Sequence, residues 1–409
     1  MAVSPPIVVG LDAGTSKVCV VVAEVAGDHV EIVGIGTAPS KGIQKGAVVN
    51  IDATVNAIRK AVEEAEVMAG CSIRDVVVAL GGSHLRSFNS HGVVAVKNGE
   101  VVPADVERVM DAARAVVLPM EREVLHVLPR EFVVDEQDGI REPVGMAGIR
   151  LEARVHVVTG AVTSAQNLMK CCQRVGLNVS AVLAGALAAA EAVLTPEEKD
   201  LGVALIDIGD GVSDLVVYQM GAVRHTAVVP LGGGHVTKDI AAGLRTPLRE
   251  AETLKQRHGC ALASRVGADE TIEVSDIGGR EPRLLKRQAL SKIIEPRLEE
   301  ILTLVAEEMM RGGCGRLASG VVLTGGTATL DGALGVAQRV FEAPVRIGNP
   351  VEIGGLVDAV KSPMYSTAVG LILYAQSGRA LAADGADTMW RLGLGRVRDR
   401  IAGWLREFF

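Results

Sequence analysis

Apolar, β-branched runs on both sides of small-residue turns predict two similar β-hairpins. The first spans residues 7–22 (IVVGLDAGTSKVCVVV), and the second spans residues 203–218 (VALIDIGDGVSDLVVY). Superposing Asp12 on Asp207 brings the glycines of the two turns into register. The repeat therefore predicts a chain that is built from two related halves.

Helix-like and strand-like patterns alternate along the rest of the chain. Apolar residues at helical spacing predict helices over residues 51–69, 105–117, 163–175, 247–257, 285–311 and 363–375. Apolar runs predict strands over residues 75–80, 124–135, 149–160 and 320–324. This alternation predicts an α/β protein whose sheets are covered on both faces.

The composition is that of a folded protein, with 48% hydrophobic and 22% charged residues among 409. A net charge of −7 argues against nucleic acid binding through a general basic surface. The six cysteines include no CxxC pair, which favours a reducing cytoplasm. We expect no signal peptide and no membrane-spanning segment, so any membrane contact would be peripheral.

The end of the chain differs from its body. Residues 376–390 are small and polar and predict a linker. Residues 391–409 carry a net charge of +3 and predict an amphipathic helix, because their apolar residues form one stripe. Such a helix suits the surface of an anionic phospholipid membrane, and docking on the protein core is the alternative. The membrane residues would be Leu394, Val397, Ile401, Trp404, Leu405, Phe408 and Phe409, with Arg400 and Arg406 on the polar side.

Three small-residue turns are candidate phosphate-binding loops. The P-loop motif GxxxxGK[ST] and the dinucleotide-binding motif GxGxxG after a strand are both absent. The turns are residues 12–17, 207–214 and 324–327. Glycine lets backbone N–H groups approach an anion closely. The first two turns begin with an aspartate at a strand end, which suits Mg²⁺. The third follows an apolar strand and precedes a helix.

In this order the three turns resemble the phosphate-1, phosphate-2 and adenosine motifs of the actin, Hsp70 and sugar-kinase superfamily. Residues 184–194 and 366–375 are similar to its two connecting helices. Within the superfamily, the chain resembles the FtsA family of bacterial cell-division proteins. The resemblance rests on residues 125–132 (LHVLPREF), 139–148 (GIREPVGMAG), 257–262 (RHGCAL), 294–297 (IEPR) and 403–406 (GWLR).

The resemblance implies an actin-like duplicated ATPase fold, with two halves around a nucleotide cleft and an inserted α+β domain. Subdomain 1A would comprise residues 1–83, 163–194 and 361–375, and the inserted subdomain 1C residues 84–162. Subdomain 2A would comprise residues 195–229 and 306–360, and subdomain 2B residues 230–305. The linker over 376–390 and the C-terminal amphipathic helix over 391–409 would follow.

The resemblance also implies that ATP and Mg²⁺ bind in the cleft. The residues that would contact ATP are Asp12, Gly14, Thr15, Ser16, Lys17, Gly209, Asp210, Gly211, Gly325, Gly326 and Thr327. Asp12 and Asp207 would hold Mg²⁺ through water. Glu252 and Lys255 match positions that contact ribose and adenine, and a surface ion pair is the alternative.

The second turn departs from the D-x-G-G-G-T pattern of the family at Asp210 and Val212. A carboxylate beside a triphosphate repels it unless the carboxylate turns towards the cation or solvent. Val212 also lacks a hydroxyl that could contact the γ-phosphate. Actin is similar at both places, so we expect ATP binding with slow or undetectable hydrolysis and assign no catalytic residue.

The function that the resemblance implies is a scaffold that polymerises at the division site, on the cytoplasmic face of the inner membrane. It would anchor the FtsZ ring by binding the C-terminal tail of FtsZ, and recruit later division proteins through residues 84–162. We expect a basic helix face for the FtsZ tail, formed by Arg283, Lys286, Arg287, Lys292 and Arg297; a solvated charged face is the alternative. The competing functions are a small-molecule kinase, a PilM-like pilus-assembly adaptor, and a protein for which ATP is only a structural cofactor.

Overall fold

The computed structural model describes residues 5–276 and 281–377. The first part of the chain contains β1 Ile7–Ala13, β2 Lys17–Ala26, β3 His29–Pro39, β4 Ile43–Gln44, β5 Ala47–Val48, α1 Ile51–Ala69 and β6 Asp75–Leu80. The inserted segment contains β7 Arg86–Ala95, α2 Pro103–Arg114, β8 Arg122–Val134, β9 Gln137–Ile140 and β10 Arg150–Ala161. The chain then returns through α3 Val162–Val175, β11 Asn178–Ala184 and α4 Gly185–Val193.

The second half follows α4. It contains α5 Pro196–Leu201, β12 Val203–Ile208, β13 Ser213–Gln219, β14 Ala222–Val229, α6 Gly233–Leu244, α7 Leu248–His258, β15 Thr271–Val274, β16 Arg283–Lys286 and α8 Arg287–Arg311. It continues with β17 Val321–Thr324, α9 Ala333–Phe341, β18 Val345–Ile347, β19 Gly354–Gly355, α10 Val357–Val360 and α11 Ser366–Gln376. Short 3₁₀ turns cover Ala263–Arg265, Gly326–Thr329 and Pro363–Tyr365. The predicted amphipathic helix and nearly all of the predicted linker lie outside the described residues.

Two sheets with the same strand arrangement form the framework of the two halves. The first sheet has the order β11-β6-β1-β2-β3, with β19 at its edge, and the second has the order β18-β17-β12-β13-β14. In each sheet the central strand pairs antiparallel with the next strand in sequence and parallel with its other neighbour. The duplication predicted from the two hairpins is therefore confirmed by the topology.

The predicted helices form largely where expected, and their ends have local causes. The side chain of Asn50 accepts a hydrogen bond from the N–H of Ala53 and caps the start of α1, and Gly70 ends α1 at φ +66°. Helix α8 begins only at Arg287, because residues 283–286 pair with β15 instead.

Helices α4 and α11 pack against each other between the halves, and their small residues allow a close approach. A Cβ atom on Gly370 would lie 1.8 Å from the carbonyl oxygen of Ala188. Every residue of α4 except Glu191 is buried, as expected for a helix that is apolar all round. These are the two connecting helices that the resemblance implies.

The inserted segment forms its own sheet, with the order β7-β10-β8-β9, and α2 packs on one side of it. Its core is separate from the cores of the halves and includes Val109, Phe132 and Leu151. Strands β7 and β8 also contact β14 of the second half. The inserted domain therefore touches both halves.

Within the described parts of the chain, no helix combines the length and the apolar character that crossing a bilayer requires.

Candidate nucleotide site

A cavity of about 660 Å³ lies between the two halves. Its size falls within the usual range for small-molecule sites. Every residue that the sequence assigns to ATP, ribose, adenine or Mg²⁺ contributes to its lining: Asp12, Gly14, Thr15, Ser16, Lys17, Asp207, Gly209, Asp210, Gly211, Glu252, Lys255, Gly325, Gly326 and Thr327. The fold thus brings three turns that are far apart in sequence to one place.

The first two turns face each other across this cavity. The N–H of Gly14 donates to the carbonyl oxygen of Lys17 (3.0 Å), and the N–H of Gly209 donates to that of Val212 (3.0 Å). A Cβ atom on Gly211 would lie 2.6 Å from Oγ1 of Thr15, so a larger residue would force the turns apart. This glycine is needed for the close approach of the two halves.

The start of helix α6 supports the second turn through backbone hydrogen bonds. The N–H groups of Gly233 and Gly234 donate to the carbonyl oxygens of Gly209 and Asp210 (both 2.8 Å). The hydroxyl of Thr327 also donates to the carbonyl of Gly209 (3.1 Å). Thr327 therefore ties the third turn to the second, and its hydroxyl is engaged within the protein.

Three partly buried carboxyl groups, those of Asp12, Asp207 and Asp214, line the cleft. Asp207 and Asp214 are direct cross-strand partners on β12 and β13, and the hydroxyl of Thr367 donates to Asp207 (3.1 Å). Burial, and then repulsion from Asp207, raises the pKa of Asp12 to about 6. Burial also raises the pKa of Asp207. The pKa of Asp214 lies well above its usual value because of burial and the charges of Asp207 and Asp12.

A divalent cation would relieve this repulsion, so the carboxyl groups fit Mg²⁺. Among the described residues, no three His, Cys, Asp or Glu side chains are close enough together to hold a metal ion. A cation beside Asp12 and Asp207 would keep most of its water ligands, as Mg²⁺ does.

The side chain of Lys17 reaches the same region without finding an acceptor. Its Nζ is buried, has no hydrogen-bond partner among the described residues, and lies 3.7 Å from the centroid of the Tyr365 ring. Burial lowers the pKa of Lys17, against the opposing charges of Cys19, Asp12 and Asp207. A buried ammonium group without an acceptor is suited to an anionic ligand.

Glu252 and Lys255 form an ion pair of 2.8 Å inside the cleft. Lys255 is only 12% exposed and also donates to the carbonyl of Gly233 (3.1 Å) and the hydroxyl of Thr237 (2.8 Å). The i,i+3 ion pair therefore forms, and it is partly buried in the cavity lining. The pair joins α7 to the start of α6, next to the second turn.

Several residues that line the cleft were not predicted from the sequence. Asp214 has a visible signal, because it is a single carboxylate within an apolar strand. Gly185, Arg257 and Thr367 carry no such signal, since only the tertiary structure brings them to the cavity.

The five basic residues expected to form one helix face for the FtsZ tail do not share one face. Arg283 and Lys286 lie on strand β16. Arg287 lines the nucleotide cavity and pairs with Glu270 (2.7 Å). On α8, Lys292 and Arg297 are five residues apart, which places them about 140° apart around the helix.

Two family models match this chain, and one of them covers the inserted domain. The sequence model of the family "Cell division protein FtsA" matches residues 204–370, and that of the "SHS2 domain inserted in FTSA" matches residues 82–159. Cell division protein FtsA of Pseudomonas aeruginosa is 49% identical, with 99% of each chain covered. The protein of the same name from Escherichia coli K12 is 43% identical, with 98% of each chain covered.

Solved structures with low sequence identity share the fold. The PilM-PilN type IV pilus biogenesis complex matches with a TM-score of 0.66 at 18% identity, over 90% of this chain and 97% of that chain. MreB5 of Spiroplasma citri bound to ADP matches with a TM-score of 0.54 at 14% identity, over 93% and 98%. These likenesses confirm the predicted actin-like fold, and the inserted α+β domain is confirmed by the family match.

Proposed function

The chain belongs to the FtsA family of cell division proteins, and we propose that it is an ATP-binding scaffold that polymerises on the cytoplasmic face of the inner membrane at the division site. In this proposal it anchors the FtsZ ring by binding the FtsZ C-terminal tail. It also recruits later division proteins through residues 84–162. The kinase and pilus-adaptor alternatives are not adopted, because identities of 43–49% link the chain to cell division proteins, whereas the likeness to PilM is 18%.

The observation that carries the proposal is the buried Lys17 ammonium group beside the facing turns of the cleft. It has no acceptor among the described residues, and the polyphosphate of ATP supplies one. Asp12 and Asp207 fit a hydrated Mg²⁺ on the same side of the cavity. The cation would neutralise the charge of the phosphates.

Slow hydrolysis is supported by the surroundings of the second turn. Val212 carries no hydroxyl that could contact a γ-phosphate. Burial raises the pKa of Asp210, the carboxyl group that stands where the family pattern has a glycine.

Support for the membrane role comes from the sequence of residues 391–409. The segment combines a net charge of +3 with an apolar stripe that holds Trp404, Phe408 and Phe409. One such helix binds anionic lipid reversibly, and several helices on one filament bind with greater avidity. ATP-dependent polymerisation would therefore increase membrane binding.

Co-sedimentation with vesicles of mixed anionic and neutral lipid tests this proposal. The full chain is compared with a chain that ends at Gln376, each with and without ATP and Mg²⁺. We expect only the full chain to pellet with vesicles, and ATP to increase the pelleted fraction. Lys17→Gln should keep the basal binding and lose the ATP response. Trp404→Ser should bind weakly, whereas Glu407→Gln, a change on the polar side, should not.

Two results would contradict the proposal. Equal pelleting of the full and truncated chains would remove the tail from membrane binding. An ATP response that survives Lys17→Gln would mean that the cleft is not the ATP site.

The FtsZ contact requires its own test, with a peptide that has the sequence of the FtsZ C-terminal tail. The side chains of Lys286 and Lys292 have no hydrogen bond or ion pair within the described residues, whereas that of Arg297 pairs with Asp239 and Glu300. Lys286→Glu and Lys292→Glu should weaken binding of an acidic peptide about tenfold. Arg141→Gln, in the inserted domain, is the matched control. Unchanged affinity in both variants would exclude Lys286 and Lys292 from the contact with the FtsZ tail.

A further inference from the structure

Two segments that carry the family resemblance, residues 125–132 and 139–148, take no part in the nucleotide cleft. Both belong to the inserted domain, where β7 and β8 contact β14 of the second half. His156 Nε2 accepts a hydrogen bond from the hydroxyl of Thr226 (2.9 Å), and the hydroxyl of Ser87 donates to the carbonyl of Thr226 (2.7 Å). We call this contact between the inserted domain and β14 the seam.

A β-bulge occurs on each side of the seam, and each bulge contains an arginine. In β8, Glu131 pairs with Arg154 and Pro129 pairs with Val155, so Arg130 is the extra residue. In β14, His225 pairs with Val217 and Val223 pairs with Tyr218, so Arg224 is the extra residue. A bulge changes the direction of a side chain relative to the regular strand. The side chains of both arginines therefore depart from the regular alternation of side chains between the two faces of a sheet.

Among the described residues, neither guanidinium group forms an ion pair with a carboxylate. Nε of Arg130 is buried without a hydrogen-bond partner, and so is Nε2 of His225. Arg224 makes no hydrogen bond or ion pair within residues 5–276 and 281–377.

The nearest carboxylates are already engaged with other arginines. Glu131 pairs with Arg154 (3.0 Å) and Glu308 with Arg311 (2.6 Å). In the described part of the chain, the seam therefore holds arginines from both domains, and the carboxylates of Glu131 and Glu308 are paired with other arginines.

Like charges in a partly buried seam repel each other. Burial, followed by the charge of Arg224, lowers the pKa of Arg130, which agrees with this closeness. Guanidinium groups bind phosphate and carboxylate groups through paired hydrogen bonds. We propose that Arg130 and Arg224 together bind an oxyanion, a phosphate or carboxylate group, in the seam between the inserted domain and the second half.

A bound oxyanion would offset the repulsion between Arg130 and Arg224, and it would add to the hydrogen bonds that already cross the seam. Arg130 belongs to the inserted domain and Arg224 to the second half, so the same ligand holds both. The anion therefore controls how firmly the inserted domain is attached to the second half. This inference does not depend on nucleotide binding in the cleft.

Thermal unfolding of the full chain tests the site, with inorganic phosphate or succinate as the probe and sodium chloride at equal ionic strength as the reference. At least one probe should raise the unfolding temperature of the wild type. In Arg130→Gln and Arg224→Gln, the apparent affinity for that probe should fall about tenfold or more. A response to phosphate alone identifies a phosphate group, and a response to succinate alone identifies a carboxylate.

Two control variants separate this site from others. Arg141→Gln removes another arginine of the inserted domain that contacts the second half, the one paired with Asp200 (2.8 Å), and should keep the full response. Lys17→Gln removes the contribution of any probe bound in the nucleotide cleft, and the response from the seam should remain. In chloride alone, Arg224→Gln should unfold at a higher temperature than the wild type, because the repulsion is gone.

The proposal is overturned if neither probe stabilises the wild type beyond chloride. It is also overturned if the response persists in both arginine variants, or if only Lys17→Gln abolishes it, since the probe then binds in the cleft.

Discussion

The ammonium group of Lys17 lies 3.7 Å from the centroid of the Tyr365 ring, inside the nucleotide cleft. Tyr365 directly precedes α11, one of the two helices between the halves. Among the described residues the ammonium group has no hydrogen-bond partner, and it lies over this ring instead. A cation over an aromatic face is stabilised by about 2 kcal/mol when both are shielded from water.

Tyr365→Leu should therefore destabilise the nucleotide-free chain by about 1 to 2 kcal/mol. Saturating ATP and Mg²⁺ should remove most of this loss, because the phosphates then hold the ammonium group. Tyr365→Phe keeps the ring and is the matched control. The check is the unfolding temperature of the three chains with and without nucleotide; an equal loss in both conditions would contradict the coupling.

Gly325 and Gly326 should respond differently to alanine. Gly325 has φ +86°, and its Cβ would lie 2.2 Å from Oδ1 of Asp207. Gly325→Ala should cost more than about 1 kcal/mol of stability and displace Asp207. A Cβ on Gly326 meets nothing within 4 Å, although this residue lines the cavity.

Gly326→Ala should then fold normally and bind ATP more weakly, since the new methyl group occupies ligand space. Denaturant unfolding and ATP titration separate the two effects. A stable Gly325→Ala chain with normal affinity would contradict the geometry.

Stability at mildly acidic pH should depend on His156 at the seam. His156 Nδ1 donates to Asn89 (2.8 Å), so Nε2 must be unprotonated to accept from Thr226. Burial, then the charges of His225 and Arg130, lowers the pKa of His156 to about 3. The unfolded chain, with a pKa of about 6.5, binds the proton first, so stability falls as the pH drops below that value.

Between pH 6.5 and 5.0 the wild type should lose about 1 to 2 kcal/mol more than His156→Gln. The measurement is denaturant unfolding of both chains at the two pH values. The other titrating groups occur in both chains and cancel. Equal pH dependence would mean that His156 does not titrate as the geometry requires.

The Lys255 and Glu252 pair should show coupling in a double-mutant cycle. Lys255→Met leaves the carboxylate of Glu252 partly buried without its cation, which costs about 1 to 3 kcal/mol. The double variant, Glu252→Gln with Lys255→Met, should recover part of this loss. Urea unfolding of the four chains gives the coupling energy, and a value near zero would contradict the pair's role in joining α7 to α6.

Features that depend on a single turn or strand were predictable from the sequence. Glycines in a fixed order after apolar strands identify close approaches of the backbone, and the repeat of Asp12 at Asp207 identifies the duplication. Such short-range patterns depend on backbone sterics and strand periodicity, which are local. They were sufficient for the α/β class and for the three turns of the cleft, whereas Gly185, Arg257 and Thr367 were not predicted.

Contacts between distant elements were decided only by the tertiary structure. The basic residues around α8 looked like one surface, but pairing of residues 283–286 with β15 and the rotation along α8 separate them. Likewise, Arg130 and Arg224 lie in different domains, and only the two bulges and the packing of β8 on β14 bring them to one seam. Local sequence determined which strands and turns form, whereas long-range packing determined which charges meet, because that depends on the burial of many side chains at once.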